Sequence, residues 1–189
     1  MTYDPVVHHR RSIRLKDYEY TTAGWYFVTI VAQDRACLFG EVVDAEMRLN
    51  DAGEMVAKIW SEIPTFYPGV DIDSFVVMPN HLHGIIVLLE EQRTASVEAD
   101  PLCLPSSEPP AKPLSLGDVV RRFKSMTTRE YGNGVRQSAW PPFNQRLWQR
   151  NYFEHVVRDE RDADHLQDYV IDNPANWAFD VENLQPRAV

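Results

Sequence analysis

The chain has 189 residues and a mass of 21.9 kDa, with 44% hydrophobic, 11% aromatic and 25% charged residues. That length fits one domain with room for an insertion or a tail, and the composition excludes collagen-like, disulfide-scaffold and wholly disordered classes. With 19 Lys+Arg against 28 Asp+Glu the formal charge is −9, which argues against a surface that coats nucleic acid everywhere and leaves room for a local basic face. The longest apolar run, Ile85 to Leu89, is far too short to cross a membrane. Two cysteines, Cys37 and Cys103, and no secretory-type opening predict a cytoplasmic protein with inert thiols, Cys37 packed near a strand end.

Residues 1–24 form a basic arm with Arg10, Arg11, Arg14 and Lys16, and Trp25 to Val31 is aromatic and β-branched enough to predict a strand. Cys37 to Leu49 can form a short hairpin. Asn50-Asp51 opens a helix with Met55, Val56, Ile59, Trp60 and Ile63 at helical spacing, and Pro64 is expected to stop it. Ile72 to Met78 and His81 to Leu89 read as two strands joined at Pro79-Asn80. Residues 90–113 concentrate Pro, Ser and Glu and read as a linker inserted into a domain spanning 25–178. Ser115 to Asp118 resembles a capping box before a helix bearing Val119, Val120, Phe123, Met126 and Tyr131, expected to end at Gly132-Asn133-Gly134. Leu147 to Val157 offers a last extended segment. Asp159 to Asn173 is a final helix with Ala163, Leu166 and Val170 inward, closed by Asn173-Pro174, and 179–189 is a tail. The elements sum to an α+β chain: an antiparallel sheet of four to five strands with helices on one face.

His81-Leu82-His83 places two imidazoles at i and i+2, on the same face of a strand, so that their nitrogens converge on one point. Such a pair, completed by oxygen donors, suits a divalent metal such as Mg²⁺ or Mn²⁺. Val76 to Val87 as a whole resembles the His-hydrophobic-His motif of HUH single-strand nucleases, and more narrowly that of the REP-associated tyrosine transposases. The likeness extends to Tyr26-Phe27-Val28-Thr29-Ile30, Cys37-Leu38-Phe39-Gly40, Phe123-Lys124-Ser125, Leu147-Trp148-Gln149-Arg150, His155 to Asp159 and Tyr169 to Pro174.

That resemblance implies an RRM-like or ferredoxin-like HUH core that cuts and rejoins single-stranded DNA next to a hairpin through a 5′-phosphotyrosine. It implies His81 and His83 as metal ligands, Tyr169 as nucleophile and Asn173, at i+4 from it, as the amide that reaches the metal. His165, at i−4, faces the same side as a substitute or supporting ligand, and Tyr152 is the rival nucleophile. In the family the N-terminal region contacts DNA, which assigns Arg10, Arg11, Arg14 and Lys16 to binding. Two other readings stay open: a non-catalytic RRM-like nucleic-acid-binding module, and a metal-dependent nuclease using water. Either a monomer or a homodimer is compatible with the sequence.

From Leu114 to Arg158 eight basic residues face three acidic ones, against the acidic trend of the rest. Arg121, Arg122, Lys124, Arg150 and Arg158 of this stretch are the candidate phosphate contacts of a single-strand cleft, with Trp140, Trp148, Tyr152 and Phe153 available to stack on bases.

Overall fold

The computed structural model describes residues 20–90 and 114–184. Strands β1 (Gly24–Val31), β4 (Val70–Val77), β5 (His81–Leu88) and β6 (Phe153–Val156) form an antiparallel sheet in the order β4-β5-β1-β6. Beside it lies a small hairpin of β2 (Gly40–Val43) and β3 (Glu46–Leu49). The β1–β5 register runs from Gly24 opposite Leu88 to Val31 opposite His81. Because side chains alternate, Tyr26, Val28 and Ile30 share one face with Leu82, Gly84 and Ile86, while Phe27, Thr29 and Val31 share the other with His81, His83 and Ile85.

Helices α1 (Asp51–Ser61) and α3 (Leu116–Gln137) cover the first face. Val56, Ile59 and Trp60 of α1 and Val119, Val120 and Phe123 of α3 join Tyr26, Val28, Ile30, Leu82 and Ile86 in one buried cluster. Gly84 is dictated by this packing, since a Cβ there would lie 2.6 Å from Cζ2 of Trp60. The glycine after the second histidine therefore lets α1 approach the back of the strand that presents the imidazoles.

The α+β class and the four-stranded antiparallel sheet are as expected from the sequence. The helices do not keep to one face as expected: α4 (Glu160–Asp172) adds a layer on the second, where Phe27 and Ile85 would otherwise be bare; Val170 seals them, with Leu166, Val76 and Val87 packed around. Three local expectations change. Pro64 does not end α1, which stops at Ser61; it lies in the first turn of the short α2 (Ile63–Phe66), where its missing N–H costs nothing. The glycine pair does not end α3, which continues to Gln137. Trp140 folds back so closely that a Cβ on Gly134 would lie 2.2 Å from its Cε3, and Tyr131 packs against both Trp140 and Phe143. That burial outweighs the roughly 1 kcal/mol a helical glycine costs. Cys37 is an exposed free thiol, not packed; Cys103 lies outside the described residues. No helix among the described residues is long and apolar enough to cross a membrane.

Candidate metal and nucleophile site

The alternation that buries Leu82 aims both flanking imidazoles into the second face, where their Nε2 atoms lie 2.9 Å apart. Each ring is held from behind. Nδ2 of Asn80 donates to the carbonyls of Arg35 (3.2 Å) and Glu182 (2.8 Å), which fixes that amide and leaves Oδ1 to accept from Nδ1–H of His81 at 2.8 Å. The Nε2 of His81 then carries a lone pair. Nδ1 of His83 is 2.8 Å from the Thr29 hydroxyl, its cross-strand neighbour, and Phe27 stacks on the ring at 5.5 Å. Backing hydrogen bonds of this kind set the tautomer and orientation of metal-binding histidines. Burial, then the neighbouring His83, push the His81 pKa down to about 3 despite the opposing pull of Asp180, so the ring is neutral and ligand-ready.

Asp180 arrives from the chain beyond α4 and places Oδ2 at 3.8 Å from Nε2 of His81 and 3.9 Å from Nε2 of His83. It is held there by the Glu182 N–H on its Oδ1 (2.6 Å) and the Asn173 amide on Oδ2 (3.4 Å). Burial raises its pKa, but the nearby His83 ring, the Glu182 N–H and the two imidazoles outweigh burial and bring it down to about 2. Asn173, the C-cap of α4, is buried, and its Oδ1 has no hydrogen-bond partner among the described residues.

Tyr169 projects from the last turns of α4, with its hydroxyl 3.4 Å from Nε2 of His83 and its ring edge-on to Phe27 at 5.9 Å. Burial first, then the negative charges of Asp180 and Glu182, raise its pKa, against a lowering bond from Asn173. The surroundings thus disfavour the phenolate unless a cation enters.

The residues fit such a cation. The two Nε2 atoms lie 2.9 Å apart, and about 3 Å is the spacing of adjacent ligands around an octahedral ion bound at about 2.1 Å. Among the described residues, the ligand atoms of His81, His83 and Asp180 cluster closely enough to hold an ion, and Asn173, whose Nδ2 reaches Asp180, carries an orphaned buried oxygen of the kind Mg²⁺ and Mn²⁺ accept.

The structure therefore brings Tyr169, Asn173, His81 and His83 together. Tyr152 lies elsewhere, packed against the large core cluster with the Lys124 ammonium 5.5 Å from its ring centre. His165 is outside the ligand group and lines, with Tyr169, His83, Phe153 and His155, an open cleft of about 390 Å³. Of the basic candidates, Arg121 is exposed and paired with Asp118 at 2.6 Å, and Arg122 lies over the Tyr67 ring. Lys124 turns inward and donates to the carbonyls of Gln149 (2.9 Å), Arg150 (3.5 Å) and Asn151 (3.0 Å). Arg150 and Arg158 are exposed; Arg10, Arg11, Arg14 and Lys16 lie outside the described residues. Sequence reasoning missed Asp180, which it placed in a tail, and Asn80 and Thr29, read only as turn and strand. The one available signal was a hydrogen-bonding residue directly before His81.

No protein-family model matches the chain. It is 42% identical over 183 residues to an uncharacterised protein of Haemophilus influenzae, covering 94% of this chain and 95% of that one. A second H. influenzae protein, provisionally named a REP-associated tyrosine transposase, is 24% identical over 170 residues, 85% of this chain and 76% of that one. A solved REP-associated tyrosine transposase bound to a REP hairpin matches with a TM-score of 0.55 at 20% identity, over 87% of this chain and 74% of the other; at that identity the likeness is one of fold. The chain belongs to one family with its 42% identical H. influenzae relative, and it is similar to the REP-associated tyrosine transposases in fold and, at 24% identity, in sequence.

Proposed function

We propose that the chain is a divalent-metal-dependent DNA transposase and endonuclease of the HUH kind, which cuts and rejoins single-stranded DNA beside a hairpin through a 5′-phosphotyrosine on Tyr169. The observation that carries the proposal is the meeting of the Tyr169 hydroxyl with His83 Nε2 at 3.4 Å, at the nitrogen that also faces His81. His81, His83, Asp180 and Asn173 are the residues that would hold the ion, which supplies charge to polarise the phosphate and stabilise the departing 3′ oxygen. Tyr169 Oη forms the new bond to phosphorus while the bond to the 3′ oxygen breaks. The phenolic proton passes to solvent and one returns to the 3′ oxygen. Phe27 fixes the direction of attack by holding both the Tyr169 and His83 rings. Resealing is the reverse reaction, and no nucleoside triphosphate is consumed because each phosphoester broken is replaced by another. The hairpin partner follows the fold relative that is bound to one.

The test is a hairpin oligonucleotide with single-stranded flanks incubated with the full chain and Mn²⁺, then resolved on a denaturing gel. A protein–DNA band is expected for the wild type and for Tyr152→Phe, and none for Tyr169→Phe. An adduct that persists in Tyr169→Phe overturns the assignment, and cleavage without any adduct replaces the tyrosine by water.

A further inference from the structure

The cleft beside Tyr169 contains an aromatic ring that the fold does not use. Phe153 is 49% exposed, belongs to neither buried cluster, and meets Phe27 edge-on at 6.5 Å at the sheet surface. The strand registers set His83, Thr29 and Phe153 in one row across β5, β1 and β6. The small Thr29 in the middle leaves a depression between the imidazole and the phenyl ring, about 10 Å wide at two strand spacings. Leu166 and Tyr169 of α4, Val181 and Glu182 of the following chain, and His155 complete its lining. His155 Nε2–H donates to Asp162 Oδ2 at 2.8 Å, which ties β6 to α4.

We propose that this cleft is a pocket for one unpaired nucleobase next to the scissile phosphate, stacked on Phe153. The inference rests on the reading of Tyr169 as nucleophile, because that reading puts a phosphate at His83, within one nucleotide's reach of the ring. Three features favour a base as occupant. The walls are mainly apolar or aromatic, and stacking on an exposed ring tolerates any base. The carboxylate at hand, Asp162 behind His155, opposes a second phosphate but not a neutral base, and Glu182 on the wall is already paired with Arg35. A volume of about 390 Å³ is small by the standards of ligand sites, which run from roughly 300 to 1,000 Å³, and suits one nucleotide better than a base pair. The pocket therefore selects an unpaired position at the point of cutting.

The test uses full-length Tyr169→Phe, so that no chemistry intervenes, and a hairpin oligonucleotide with 2-aminopurine placed in turn along the single-stranded flank. Quenching on binding is expected at one position, retained with Phe153→Tyr and lost with Phe153→Leu. Phe153→Leu should also weaken binding of the flanked hairpin about tenfold, as for one lost stacking partner, and leave binding of the bare hairpin and the thermal midpoint unchanged. Absence of a quenched position, or quenching indifferent to Phe153→Leu, overturns the pocket. Failure of the nucleophile reading looks different: a quenched base that depends on Phe153, with no covalent adduct from the wild-type chain.

Discussion

At the scale of single residues, the site is an arrangement for presenting lone pairs. Asn80 spends its N–H groups on two carbonyls and therefore can only accept from His81, which leaves the opposite nitrogen of that ring open. Asn80→Ala should lower Mn²⁺ affinity by about 10- to 100-fold, the usual effect of losing a residue that orients a ligand, and isothermal titration calorimetry measures it directly. Asp180→Asn should weaken the ion similarly by removing its one carboxylate. The chelated protein makes the same chemistry visible as pH dependence. His81 has a folded pKa of about 3, below the ordinary 6.5, so below pH 6.5 the unfolded chain takes up a proton that the folded chain refuses. Stability from this group declines as pH falls from about 6.5 to about 3. Asp180, lowered from 3.8 to about 2, contributes above pH 3.8 and is lost below it, in the same direction. Urea midpoints measured between pH 7 and pH 4 should fall, and fall less in His81→Phe; equal slopes in the two proteins would remove His81 as a cause.

At the scale of elements, the question is what holds α4, the carrier of Tyr169, in register with the strands. It is tied at both sheet edges: His155 of β6 bonds Asp162, and Gln167 bonds Asp73, which lies where β4 slips register against β5. Gln167→Ala should cost about 1 kcal/mol, and hydrogen exchange should show faster opening of α4 with the sheet unaffected. Lys124 does comparable work on the other face by gathering three successive carbonyls ahead of β6. Lys124→Met should therefore destabilise the chain by about 2 kcal/mol in urea unfolding, whereas exposed Arg121→Ala should move it by less than about 0.5 kcal/mol. These elements show where the sequence was legible. Apolar spacing in α1 and α3, the aromatic and β-branched runs of β1 and β5 and the i, i+2 spacing of His81 and His83 are local signals, so the helices, the strands and the shared face of the two histidines followed from pattern alone. The persistence of α3 past Gly134 depends on Trp140 folding back, and the inward turn of Lys124 depends on a loop 25 residues away. Neither has a local trace. Asp180 was hidden for the same reason: the chain after Pro174 is held at the histidines by distant partners, Arg35 pairing with Glu182 and Asn80 donating to the Glu182 carbonyl.

At the scale of the whole molecule, charge is segregated by face. Helix α3, on the first face, carries Arg121, Arg122, Arg129 and Arg136 against Asp118 and Glu130, whereas α4, on the second, carries Glu160, Asp162, Asp164, Asp168 and Asp172 against Arg161. The basic stretch foreseen from composition is real, but the sheet separates α3 from the Tyr169 site. On the proposed function, DNA that uses both would pass around an edge of the sheet, with its phosphates on α3 and one nucleotide inserted at the acidic face, where a bound cation would offset Asp180. Affinity and chemistry then reside in different residues. The double replacement of Arg121 and Arg122 by Ala should reduce the slope of log affinity against log salt by about one to two, because each phosphate contact releases counterion. At saturating DNA it should leave the single-turnover rate of adduct formation unchanged. Tyr169→Phe should do the reverse, keeping affinity and salt slope while abolishing the adduct. If the double variant keeps the wild-type slope, the phosphates do not lie on α3; if it slows the saturated rate, α3 and the Tyr169 site are coupled through the sheet and the two faces do not act independently.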